Sequence, residues 1–191
     1  STQGYSSAAS DVYKRQNFDY EISYNEVVTV TPRNYKLVFR KVNNLDKHYA
    51  MIGIAAGISD YPLYYDGTNE KGLSMAGLNF SGYADYKEIQ EGKDNVSPFE
   101  FIPWILGQCA TVDEAKDLLM NINLANINYS EELPLSPLHW LLADKEKSIV
   151  IESMKDGLHI YDNPVGVLTN NPSFDLSLIH ISEPTRPEPI S

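Results

Sequence analysis

The chain has 191 residues, 42% hydrophobic and 21% charged, which is enough for one domain with its own core. A formal net charge of −11 argues against nucleic acid as a partner, and no apolar run approaches the roughly 20 residues of a membrane helix. One cysteine excludes an intrachain disulfide and agrees with a reducing compartment.

Both ends read as foreign sequence. Ser6–Gln16 (SSAASDVYKRQ) and Leu176–Arg186 (LSLIHISEPTR) back-translate into the two arms of a transposase-library sequencing adapter. The expected organisation is therefore adapter over 1–16, a partial domain over 17–175, and adapter over 176–191.

Asn25–Thr31 (NEVVTVT) is rich in β-branched residues and stops at Pro32, as a strand does. Tyr35–Arg40 is expected to pair back on it across Pro32-Arg33-Asn34. The apolar run His48–Ala56 suits a strand covered on both faces. Asp66-Gly67 and Asn69-Glu70-Lys71-Gly72 carry turn chemistry, because Gly, Asn and Asp tolerate left-handed backbone. Leu73–Phe80 follows as a strand of small residues ending in the amide of Asn79. Ser81–Asp94 reads as loop. Ser97-Pro98 opens a helix with Phe99, Ile102, Ile105 and Leu106 as its apolar stripe, and Pro103 should kink it or end its first turn. Thr111-Val112-Asp113-Glu114 is a capping box for a second helix with Ala115, Leu118 and Leu119 inward. Leu138–Ala143, Ser148–Glu152, Leu158–Tyr161 and Val165–Thr169 are short strands. Strands, two helices, then strands predict an α+β protein with helices packed on an antiparallel sheet.

Five strings then occur in one order: NFDYE from Asn17, TPRNY from Thr31, DYPL from Asp60 with DGTNEKGL from Asp66, AGLNF from Ala76, and VLTNNPSF from Val167. Together they resemble the choloylglycine hydrolase family, the bile salt hydrolases and penicillin V acylases of the N-terminal-nucleophile superfamily. The resemblance runs from Asn17 to about Asp175. It implies an αββα four-layer sandwich, of which this chain supplies roughly the first half. It implies hydrolysis of linear amides by an N-terminal cysteine, whose thiolate is the nucleophile and whose α-amino group is the base. It implies no cofactor, a small-molecule substrate (a conjugated bile salt or another N-acyl amide), a bacterial cytoplasmic setting and a homo-oligomeric, tetrameric parent.

The resemblance also assigns candidate residues. Asp19 matches the carboxylate that hydrogen-bonds the α-amine; a turn-capping aspartate is the other reading. Asn79 and Asn170 match the oxyanion-binding residues, neutral N–H donors for charge that develops on the carbonyl oxygen. Either amide could instead serve a turn or cap, Asn170 with Asn171-Pro172. Phe18, Tyr24, Ile58 and Tyr65 occupy substrate-pocket positions and could equally be core residues. The arginine that precedes the family's Asn-x-Asp string is replaced here by Gln16, inside the adapter, and the nucleophile should lie upstream of Asn17. This chain by itself is therefore expected to be inactive. Cys109 reads as a small packing residue without a basic neighbour in sequence. His48, His139 and His159 lack metal-ligand spacing, and His139 suits a hydrogen-bonded core position. A non-catalytic relative that only binds or assembles is the reading from another class. Preference for bile salt against penicillin V stays open.

Overall fold

The structure is a computed structural model that describes residues 4–6, 15–16, 25–57 and 61–182, with backbone alone for 4–6, 15–16 and 179–182. Phe18, Asp19, Tyr24 and Ile58 lie outside the described residues. Twelve strands occur in chain order: β1 (Gly4–Ser6), β2 (Arg15–Gln16), β3 (Glu26–Thr31), β4 (Met51–Ala56), β5 (Tyr64–Asn69), β6 (Ser74–Asn79), β7 (Asp94–Val96), β8 (Ile122–Leu124), β9 (Leu138–Ala143), β10 (Ser148–Met154), β11 (Gly157–Asp162) and β12 (Val167–Thr169). The helices are α1 (Phe101–Gln108), α2 (Val112–Leu119) and α3 (Phe174–Ser182), with a 3₁₀ turn at Pro98–Glu100. β1, β2 and all of α3 beyond Asp175 fall within residues 1–16 and 176–191. No helix among the described residues is long and apolar enough to cross a membrane.

An antiparallel sheet of seven strands, in the order β11-β10-β9-β6-β5-β4-β3, carries the architecture. Successive residues of a strand face opposite sides, so β6, β9 and β10 can serve two cores at once. Met75, Trp140, Leu142, Ile149 and Ile151 join α1 and α2 in one buried cluster. Their neighbours Ala76, Leu78, Leu141 and Val150 join Leu168 of β12 and Phe174 of α3 in the other. This explains why these strands read as nearly continuous apolar runs despite antiparallel pairing. A small sheet, β12-β1-β2, and the parallel pair β7-β8 complete the topology. The pair DNV and INL is too short to carry a strand signal in sequence.

Three expectations need correction. First, β3 pairs with β4, not with residues 35–40. The backbone of that segment spends its hydrogen bonds elsewhere: Phe39 N–H on Asn44 Oδ1 at 3.0 Å, Arg40 N–H on Glu100 Oε1 at 2.6 Å, and Leu37 on Leu45. Second, Asp66-Gly67 lies inside β5, not in a turn. Gly67 is there for close approach, since a Cβ would stand 3.1 Å from Leu106 Cδ1 of α1. The turn is the later half of the string, with Gly72 at φ +89°. Asn69 organises it: its Oδ1 accepts from Lys71 and Leu73 N–H, while its Nδ2 donates to the carbonyls of Leu106 and Cys109 at the end of α1. Third, β4 starts at Met51 and is not covered on both faces. Val28, Val30 and Ile52 are half or more exposed on the face whose β6–β10 part packs under β12 and α3.

The helices follow their caps. Glu100 Oε2 accepts from Ser97 N–H at 3.1 Å, which fixes the opening turn. Pro103 sits in the first turn of α1, where no intrahelical bond is lost; the expected break occurs as the 3₁₀-to-α handover at Phe101. α1 is buried all round rather than along one stripe. In α2, Thr111 Oγ1 accepts from Glu114 N–H, and Glu114 in turn accepts from Ala110 N–H, one residue before the cap.

Arg33 and Glu70 close the β5–β6 end, with Arg33 Nε 2.8 Å from Glu70 Oε1. The Arg33 hydrogen bonds, helped by Ala50 N–H, hold the Glu70 carboxyl down at about 2. An unfolded glutamate titrates near 4.3, so this stabilisation is present above about pH 4.3 and is lost as pH falls towards 2. Glu70→Gln should therefore flatten the fall in stability across that window while leaving the fall above it unchanged. Urea melts of both proteins between pH 2 and 6 check this; parallel curves would contradict it.

Candidate active site

β5 and β6 bring Tyr65 and Asn79 to the same cavity, of about 360 Å³. Volumes of this size hold a small molecule. Its floor is Gly77, Leu138 and Trp140 from the sheet, and its sides are Pro98, Phe99 and Ile102 from the start of α1. The outer wall is the connection from Tyr129 to Pro137, which contributes Leu133, Pro134 and Leu135. Gly77 opens the floor: a Cβ there would stand 3.3 Å from Trp140 Nε1. Asn79 is the last residue of β6, exposed, and its side chain makes no hydrogen bond among the described residues. Its amide carries two N–H donors of the kind that a ligand carbonyl accepts from.

The wall is held at both ends. Tyr86 donates its hydroxyl to Ser136 O at 2.8 Å and accepts from Leu138 N–H at 2.9 Å, and burial raises the pKa of that phenol. Asn128 Oδ1 accepts from Leu135 N–H at 3.1 Å. At the other end Arg40 donates Nη2 to Tyr129 O at 2.9 Å, and its guanidinium lies 5.5 Å and 5.8 Å from the ring centroids of Phe99 and Tyr129. The Arg40 N–H also donates to Glu100, whose carboxyl burial pushes up against those two N–H donors. Phe99, Tyr129 and Tyr61 pack together edge-on or tilted beside it.

Exposed cation–π contacts contribute about 0.5–1 kcal/mol and the hydrogen bond about 1 kcal/mol. In the full-length parent, Arg40→Ala should accordingly raise KM about fivefold while kcat stays close to the original, because the wall loosens but Asn79 does not move. Steady-state kinetics read this directly; an unchanged KM would show that the wall does not need Arg40.

Asn170 follows β12, whose Leu168 packs in the second core, and it is not among the residues that line this cavity. It is half-buried, and its Oδ1 is fully enclosed without a hydrogen-bond partner among the described residues. Cys109 caps α1 and is 3% exposed. Burial, with Glu114 nearby, pushes its thiol up to about 12, the opposite of an activated nucleophile. Among the described residues no three His, Cys, Asp or Glu side chains gather as a metal site.

Sequence reasoning placed Phe99 in a helix stripe and Arg40 at the end of a strand, and passed over Tyr129–Pro137. The signal in that last stretch was a largely apolar segment, Leu133 to Pro137 with two prolines, lacking both helix and strand period. Leucines in such a loop have no sheet or helix face to serve, so a ligand-facing wall is their natural place.

The statistical description of the linear amide C–N hydrolases, choloylglycine hydrolase family, matches residues 5–187. The chain belongs to this family. A bile salt hydrolase/transferase of Lactiplantibacillus plantarum is 66% identical over 170 residues, covering 89% of this chain and 52% of the relative. A bile salt hydrolase/transferase of Clostridium perfringens is 42% identical over 171 residues, covering 88% and 52%. Among solved structures, a variant of the conjugated bile acid hydrolase from Clostridium perfringens superposes with a TM-score of 0.85 at 38% identity, over 95% of this chain and 56% of that one. A penicillin V acylase from Agrobacterium tumefaciens shares the fold at a TM-score of 0.75 and 20% identity, over 94% and 55%. The chain thus spans about half the length of the curated relatives it matches.

Proposed function

We propose that the full-length parent of this chain hydrolyses the amide bond of glycine- and taurine-conjugated bile salts. The observation that carries this reading is the apolar cavity with Asn79 at its edge, in a chain 66% identical to a bile salt hydrolase/transferase. An N-terminal cysteine thiolate attacks the amide carbonyl carbon, forming a C–S bond. The developing oxyanion accepts hydrogen bonds from Asn79 and Asn170. The tetrahedral intermediate expels the amine, which takes its proton from the cysteine's α-ammonium group; water then cleaves the thioester. Asp19 orients that α-amino group. Phe18, Tyr24, Ile58 and Tyr65 contact the apolar acyl part, so that steroid surface is removed from water where the cavity wall is already built. In the whole protein the seven-stranded sheet, with α1 and α2 on one face and the β12 layer on the other, forms the first half of an αββα sandwich.

The test is a three-substrate assay on the purified full-length parent. Glycine and taurine release from glycocholate and taurocholate should outpace phenoxyacetate release from penicillin V. Faster penicillin V cleavage would reassign the substrate, and failure to cleave any of the three would overturn the reading.

A further inference from the structure

His139 and Glu152 form a pair on neighbouring strands β9 and β10, and both side chains are completely buried. His139 Nδ1 stands 2.9 Å from Glu152 Oε1. The same oxygen accepts from Phe174 N–H, the first residue of α3, at 3.0 Å. An oxygen that accepts from an amide and faces an imidazole nitrogen calls for Nδ1–H as second donor. The remaining atoms, His139 Nε2 and Glu152 Oε2, are buried without hydrogen-bond partners among the described residues. On the other side the His139 ring stacks on Phe80, centroids 4.2 Å apart and planes 8° from parallel.

Stability does not explain this pair. Its surroundings on that face are Leu78, Leu141, Val150 and Phe174, where apolar side chains would pack. Buried ionisable pairs are often replaced by apolar residues without loss, and each unpartnered buried polar atom is destabilising. What the pair does is connect. Phe80 directly follows Asn79, and its N–H donates to Pro137 O at 2.8 Å in the cavity wall. Phe174 lies four residues after Asn170, and no other described group accepts its N–H. One end of the pair therefore abuts the segment bearing Asn79, and the other anchors the segment bearing Asn170.

We infer that His139–Glu152 is a positioning pair that sets the two asparagines relative to one another. The inference rests on the reading of Asn79 and Asn170 as oxyanion donors. Glu152 fixes the start of α3, and with it residues 170–173. His139 holds the Phe80 ring and keeps the end of β6 in register with β9, where Leu78 faces His139 and Asn79 faces Leu138.

The test uses the full-length parent and glycocholate. The double variant His139→Phe/Glu152→Leu keeps the stack and fills the space, so its melting temperature should stay near the parent's. Its kcat should nevertheless fall about 10–100-fold with KM within about threefold, as displaced catalytic donors require. Glu152→Gln retains an oxygen for Phe174 N–H and His139 Nδ1–H and should keep kcat within about threefold of the parent. Combined with Asn170→Ala, the double variant should add little, because His139→Phe keeps the stack beside Asn79 and the one donor that the double variant displaces is already gone. Asn79→Ala and Asn170→Ala separate the possible failures. If both lose kcat while the apolar pair keeps it, the positioning inference is overturned and the oxyanion reading survives. If neither asparagine variant loses kcat, the oxyanion reading falls, and the pair has nothing to position. Multiplying losses in the combined variant would also overturn the inference.

Discussion

Replacing Asn79 with alanine in the full-length parent is expected to lower kcat by about 10²–10³ and to leave KM within a few-fold, the signature of a donor used mainly in the transition state. The geometry motivates the expectation. Asn79 ends β6 on the same cavity edge as Tyr65, with Gly77 two residues before it clearing the floor. Its side chain has no structural hydrogen bond among the described residues, so its removal leaves no buried group unsatisfied among them. A loss of kcat then cannot be assigned to folding, and the melting temperature of the variant should match the parent's within about 2 °C. Stopped-time assays of glycine release, with a thermal melt of each protein, measure both quantities. A parent-like kcat would remove Asn79 from the chemistry.

The largest stability effect is expected at Gly53. A Cβ at this position would lie 2.0 Å from Asp66 O and 2.7 Å from Gly67 Cα. Both are backbone atoms of β5, the strand that pairs with β4 at Gly53↔Gly67, so no rotamer change can relieve the clash. Gly53→Ala should separate two central strands and cost about 3 kcal/mol or more, beyond ordinary overpacking. That corresponds to a fall in melting temperature of about 10 °C in a chain of this size. Gly67→Ala is the internal control: its Cβ meets Leu106 Cδ1 at 3.1 Å, the far end of a side chain that can shift. It should cost no more than about 1 kcal/mol. Equal melting temperatures for the two variants would contradict the account of these glycines.

The residues that were legible in sequence are those whose local pattern and tertiary role agree. Thr111 to Glu114 spelled a cap and formed one; Leu138–Ala143 read as a strand and is β9. The end of β6 at Asn79 was legible because a strand of small residues stops there. The failures are places where partners distant in sequence decide. Asp66-Gly67 has turn composition, but α1 packing on Gly67 makes it strand. Residues 35–40 have β-branched and aromatic character, yet Glu100, sixty residues on, takes the Arg40 amide. Arg40 itself carries no motif; only the folded chain sets it against Phe99 and Tyr129. His139 was legible as a hydrogen-bonded core residue, but its partner Glu152 and the link to Phe174 arise from sheet register.

The central claim is that the cavity beside Asn79 receives the acyl half of a conjugated bile salt with its amide carbonyl on that asparagine. The direct measurement is a crystal structure of the full-length parent, with the N-terminal cysteine proposed as nucleophile replaced by alanine, soaked with glycocholate. The account predicts steroid density against Tyr65, Phe99 and Leu138, with the amide oxygen about 3 Å from Asn79 Nδ2. Steroid bound away from this cavity, or an amide oxygen out of hydrogen-bond reach of Asn79, would contradict it.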